Sequence, residues 1–168
     1  MRTLEARFPV PQTADAHINL FEEIDTAVDG LGQLRTLIRS GRKPGIARTL
    51  DFDFVEVEAG RAVFAGTPGE HAYNPIGTVQ GGYAATLLDS ACSCAVHSQL
   101  TAKQAYITID LNVSYHKRVT RETGPLRAEG RVRSLGKRVA FAEAQLVGAD
   151  HKLYASATST LLIFDRKR

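Results

Sequence analysis

The segment from Gly81 to Leu100 reads GGYAATLLDSACSCAVHSQL and carries one formally charged side chain, Asp89. Its other ionisable groups are Tyr83, His97 and the thiols of Cys92 and Cys94. Ala84, Ala85, Leu87, Leu88, Ala91, Cys92, Ala95 and Val96 leave no polar face of ordinary width. Such a segment predicts a helix buried nearly all round rather than an amphipathic one. A buried helix needs a surface packed against it, and the flanking sequence supplies strands.

From about Thr49 the hydrophobic period becomes two. Leu50, Phe52 and Phe54 alternate with charge, and Val55 and Val57 then change phase, which predicts a bulge. EAGRAVF reads as a hairpin turn into a second strand. Beyond the helix, Ile107, Ile109, Leu111, Val113 and Tyr115 define one face of a strand, with Thr108, Asp110, Asn112 and Ser114 on the other. LRAEGRVRS, RVAFAEAQLVG and LYASATSTLLIF alternate similarly, separated by the turns SLGK and GADHK. Short turns between strands favour an antiparallel sheet with the one central helix on its inner face, an α+β arrangement. Ahead of it, Ile18, Phe21, Ile24, Val28, Leu31, Leu34 and Ile38 form a helical stripe, interrupted at Gly30 or Gly32, and SGRKPG ends it. The division expected is an N-terminal helical extension, 1–45, and a main domain, 46–168.

A lone carboxylate in an apolar helix costs several kcal/mol unless it is paired or protonated. Asp89 therefore either fixes packing through hydrogen bonds, for example with Ser90 or Ser93, or acts as a general base or nucleophile. The pair Gly81-Gly82 stands where the helix should begin. The first N–H groups of a helix are unpaired and lie at its positive end, and glycine lets a ligand approach them. A developing oxyanion fits there. Asp89 is eight residues further on, about 12 Å along a helix, beyond the roughly 3 Å reach of an acid/base group. Two antiparallel copies of the helix would bring each Asp89 to the other chain's Gly81, which predicts a site shared across a homodimer.

The stretch HAYNPIGTVQGGYAATLLDSA resembles the PaaI-like branch of the hotdog-fold acyl-CoA thioesterases. Asn74, Pro75, Gly77, Val79, Gly81, Gly82, Leu87 and Asp89 carry the likeness in type and spacing. It extends more loosely from about residue 49 to 164. The resemblance implies an antiparallel sheet wrapped around a long central helix, and dimers that pair into tetramers. It implies hydrolysis of a small, medium-chain or aromatic acyl-CoA, with no metal and no cofactor beyond the coenzyme of the substrate. It further implies that Gly81 N–H polarises the thioester carbonyl and that Asn74 positions substrate or water. Asp89 of the neighbouring chain would be base or nucleophile, and Thr108 a residue that also holds the water. Gly82 and Gln80 would adjoin the substrate, and Ser93 would either hydrogen-bond Asp89 or serve as a small core residue. Arg131, Arg133, Lys137 and Arg138 would dock the phosphates of coenzyme A. Gln80 departs from the family pattern, which has histidine there. Glutamine keeps a donor and an acceptor but takes no proton at neutral pH, so retained activity with an altered rate or pH profile is expected.

Other readings are weaker. A hydratase on this fold needs a histidine paired with an acid, and none lies beside Asp89. A non-catalytic acyl-CoA sensor is favoured by Gln80 and opposed by Asn74, Gly81 and Asp89 together. The net charge of +3 suits an anionic small molecule as well as nucleic acid, and the lack of Trp and of aromatic-basic interleaving argues against a single-strand binder. Cys92 and Cys94 are spaced for neither a disulfide nor zinc and read as small core residues. His71 and His97 read as structural. The N-terminus lacks an apolar leader and no window reaches about 18 apolar residues, so a cytoplasmic protein with no membrane partner is expected.

Overall fold

The structure, a computed structural model, describes residues 27–166. In chain order it contains helix α1 (Gly30–Ser40), a short helix α2 (Gly45–Thr49), strands β1 (Phe52–Glu58) and β2 (Arg61–Gly66), helix α3 (Gly81–His97), and strands β3 (Gln104–Tyr115), β4 (Leu126–Leu135), β5 (Val139–Gly148) and β6 (Leu153–Asp165). All six strands form one antiparallel sheet in the order β1-β2-β4-β5-β6-β3. The sheet curls round α3, whose Leu87, Leu88, Ala91, Cys92, Ala95 and Val96 are fully buried. This is the hotdog arrangement, with an N-terminal helix added. Residues 14–26 of the predicted helical stripe lie outside the described residues.

Local chemistry accounts for the element boundaries. Asp29 caps α1 by accepting a 2.8 Å hydrogen bond from Gly32 N–H. Gly41 ends it in the left-handed conformation. Pro44 then opens α2. Strand β1 slips register between Phe54 and Glu56, where the phase change predicts a bulge. The sheet can approach α3 closely because residue 130 is glycine. A Cβ there would lie 2.3 Å from the backbone of Ala91.

Two expectations need correction. Helix α3 is not covered on all sides within one chain: Gly82 is exposed and Thr86, Asp89, Ser90 and Cys94 are only half-buried, forming an open stripe along it. The faces of β3 also differ from simple alternation. Its pairing with β6 slips between Thr108 and Asp110, so Tyr106 turns inward with Leu111 and Val113, and Thr108 turns toward Asp89. Ile107 and Ile109 are left 50% and 55% exposed on the edge strand. One extra residue in a ladder reverses the face of everything before it.

Candidate active site

Two cavities flank α3, one for each of the groups singled out. The first, of about 550 Å³, contains Asp89, Ser90, Ser93 and Thr108. Thr108 Oγ1 donates a 3.1 Å hydrogen bond to Asp89 Oδ1, and Ser93 Oγ lies 3.2 Å from Thr108 Oγ1. Ser93 therefore reaches the carboxylate through Thr108 rather than directly. The β3 bulge makes this possible by turning Thr108 toward the helix. Cys94 borders the same cavity, while Cys92 sits in the core. Burial, and then the charge of Asp89, push both thiols up to about 12, so neither is a ready nucleophile at neutral pH.

The second cavity, of about 430 Å³, lies at the start of α3 and includes Asn74, Gln80, Gly81, Tyr83 and Tyr115. Gln80 is the N-cap residue and makes no side-chain capping bond. The N–H groups of Gly81 and Gly82 are the first of the helix, and no helical carbonyl precedes them as a partner. Tyr115 Oη donates to Gly81 O at 3.0 Å, and its ring lies 3.0–3.2 Å from where a Gly81 Cβ would stand. The tyrosine thus packs against the helix start from its exposed side. Asn74 organises the preceding loop. Its Oδ1 accepts from Ile76 N–H and Thr78 N–H, and its Nδ2 donates 2.8 Å to Thr78 Oγ1. Tyr83 is buried, and burial followed by the charge of Asp51 raises its hydroxyl to about 12.

Asp89 and Gly81 thus occupy different cavities of one chain, as the rise of a straight helix requires. The arginines expected at the coenzyme line neither cavity. Arg131 pairs with Glu129 at 2.6 Å and Arg133 with Glu143 at 3.2 Å, while Lys137 and Arg138 both belong to the β4–β5 turn. Through Glu129, Arg131 adjoins a charged network in which hydrogen bonds from Arg127 and then Arg61 hold Glu56 down to about 2. The cations that do line the cavities are Arg42 and Lys43 beside Asp89, and Lys117 and Arg118 beside Gly81. The sequence reading missed these four. The run HKRV directly after the β3 pattern is the one signal that would have marked the second pair.

Leu87 is wholly buried core. His71 is exposed, with Nε2 3.2 Å from Leu50 O. His97 is buried 3.0 Å from Gln33 Oε1, and neither histidine lines either of these two cavities. Among the described residues, no group of three His, Cys, Asp or Glu side chains could hold a metal ion. No helix among them is long and apolar enough to cross a membrane.

A curled antiparallel sheet around one helix is the hotdog fold, and the class that the comparisons give it is that of the thioester hydrolases. Residues 76–155 match the thioesterase superfamily. Among solved structures, the chain is similar to a putative thioesterase from Ralstonia eutropha described as phenylacetic acid degradation-related. That pair shares 28% identity over 77% of this chain and 98% of the other, with a TM-score of 0.69. The PaaI protein of the E. coli phenylacetic acid degradation operon aligns at 20% identity, covering 80% and 94% of the two chains, with a TM-score of 0.70. A Streptococcus mutans protein bound to acetyl CoA aligns at 22%, covering 70% and 91%, with a TM-score of 0.63. At such identities these last two establish a shared fold. No curated protein matches the chain.

Proposed function

We propose that the protein hydrolyses acyl-CoA thioesters at two sites of a homodimer, each built from Asp89 of one protomer and Gly81 of the other. The observation that carries this reading is the separation of the two groups into different cavities along one helix, joined by an open stripe of small and polar residues. Two such stripes laid antiparallel bring each carboxylate to the opposite helix start. The exposed edge of β3, with Ile107 and Ile109 uncovered, suits sheet joining between the copies, and pairing of dimers would give a tetramer.

In this reading Gly81 N–H, aided by Gly82 N–H, binds the thioester oxygen and stabilises its charge as the carbonyl carbon becomes tetrahedral. Asp89 takes a proton from the attacking water, and the carbon–sulfur bond then breaks. Coenzyme A leaves as the thiolate and takes up the proton. Thr108 occupies one carboxylate oxygen and leaves the other for water. Asn74 acts as a positioning residue that sets the loop entering the oxyanion site. Lys117 and Arg118 suit the coenzyme's phosphates because they border the Gly81 cavity; the cluster of Arg131, Arg133, Lys137 and Arg138 is the other candidate for that role. No metal or bound cofactor is required. Gln80, exposed at the helix start, adjusts rate rather than reaction type.

The test is thiol release across short, medium, long and aromatic acyl-CoAs. Asp89→Asn should reduce turnover by about 10²–10⁴-fold, and unchanged turnover would remove the assignment. Acyl-CoA binding without turnover by the native protein would favour a sensor. Charge removal at Lys117 and Arg118 should raise KM more than at Arg131 and Arg133; the reverse order would move the coenzyme site to the β4–β5 end.

A further inference from the structure

The Asp89 cavity is bounded on one side by residues that precede the sheet. Leu37 and Ile38 come from the last turn of α1, and Ile46 and Ala47 come from α2. The opposite side is aromatic. Phe54 and Phe64 are stacked with centroids 4.5 Å apart, Phe52 meets Phe64 edge-on at 6.0 Å, and all three line the cavity with Tyr106. The polar groups are confined to Asp89 with its neighbouring hydroxyls and to the Arg42, Lys43 and Asp53 side chains. An apolar slot with a carboxylate in its wall has the form of a site that holds an apolar group and presents one reactive centre. Its volume of about 550 Å³ falls in the range of pockets that enclose whole ligands, far beyond the needs of an acetyl group.

The helical wall is anchored at both ends. At its start, Gly30 N–H donates 2.9 Å to Leu100 O. A Cβ on Gly30 would fall 1.9 Å from His97 O, so only glycine permits this seating. Gln33 adds its buried contact with His97 at 3.0 Å. At its end, Lys43 Nζ lies 2.8 Å from Asp53 Oδ1 on β1. A wall held at two points discriminates by shape, because it cannot simply move aside for a larger occupant.

We infer that the α1–α2 segment is the specificity wall of the enzyme, and that Leu37, Ile38 and Ile46 with the Phe52–Phe54–Phe64 face enclose an uncharged apolar acyl group much larger than acetyl. This rests on the thioesterase reading above for the identity of the ligand. In that frame the carbonyl sits at Asp89, the acyl group enters this cavity, and the coenzyme extends toward the partner's helix start.

The experiment uses non-hydrolysable thioether analogues of acetyl-, octanoyl- and phenylacetyl-CoA, with binding measured by calorimetry beside turnover of the parent thioesters. The native protein should bind one or both larger analogues at least about tenfold more tightly than the acetyl analogue. Ile38→Trp, which fills the slot, should weaken those larger analogues by about tenfold or more and leave the acetyl analogue within about threefold. Leu37→Ala, which enlarges it, should move the preference toward longer acyl groups. Equal weakening of all three analogues by Ile38→Trp with no change of preference in Leu37→Ala would overturn the inference, as would a native protein indifferent to acyl size. The expected binding order without any turnover would retain the wall and refute the hydrolase reading instead.

Discussion

Replacing Gly81 by proline removes one atom group that the proposed chemistry requires while asking little of the fold. Position 81 is the first residue of α3, where the N–H has no intrahelical partner and proline is well tolerated. Proline also demands an extended residue before it, and Gln80 already has φ −61° and ψ 134°. The steric cost falls on Tyr115, whose ring lies 3.0–3.2 Å from the new Cβ; it is a half-exposed side chain at a strand end and has room to shift. What is lost is the N–H that the proposed mechanism directs at the thioester oxygen. Loss of one such donor costs about 10²–10³-fold in kcat, or about 2.7–4 kcal/mol of transition-state stabilisation. Gly81→Ala adds the same Cβ but keeps the N–H, so it controls for the displacement of Tyr115. Thiol release should therefore fall by about two to three orders of magnitude in Gly81→Pro, and by less than about tenfold in Gly81→Ala, with thermal melts close to native in both. A proline variant as active as the alanine variant would refute the oxyanion role of this amide.

Further outcomes test the rest of the reasoning. Mixing Asp89→Asn with Gly81→Pro and allowing subunit exchange should restore about a quarter of native activity, because half the dimers are mixed and each holds one intact site; no recovery after verified exchange would exclude a shared site. Thr108→Val removes the hydrogen bond to Asp89 while keeping the shape, and should lower kcat/KM by about ten- to a hundredfold, with Thr108→Ser largely restoring it. Gly130→Ala forces a Cβ to 2.3 Å from Ala91 and should cost about 1–3 kcal/mol in urea unfolding. Burial, with the charge of Arg166 adding to it, lowers the His97 pKa from 6.5 to about 4. The unfolded chain thus binds the proton more readily between those values. Stability is complete above about pH 6.5 and falls by up to about 3 kcal/mol as the pH drops to 4. His97→Asn should flatten that part of the curve.

The sequence by itself determined the elements and the chemistry. A long apolar run with one carboxylate reads as a largely buried helix, and period-two runs joined by short turns read as antiparallel strands, so the α+β layout was readable from local pattern. Gly81 and Asp89 stood out as candidates, because a helix start of two glycines and a lone charge in an apolar run are what burial disfavours, and their spacing already placed them about 12 Å apart along one helix. Tertiary structure decided what each residue faces. Thr108 reaches Asp89 only because β3 slips against β6 between residues 108 and 110, and a slip is a property of the pair rather than of either strand. Asn74 proved to be occupied by its own loop, and the arginines of β4 by Glu129 of the same strand and Glu143 of β5. The first helix, an appendage in the linear pattern, became one wall of the Asp89 cavity. Its apolar spacing says that it packs, and only the close approach at Gly30 and the Lys43–Asp53 contact say against what.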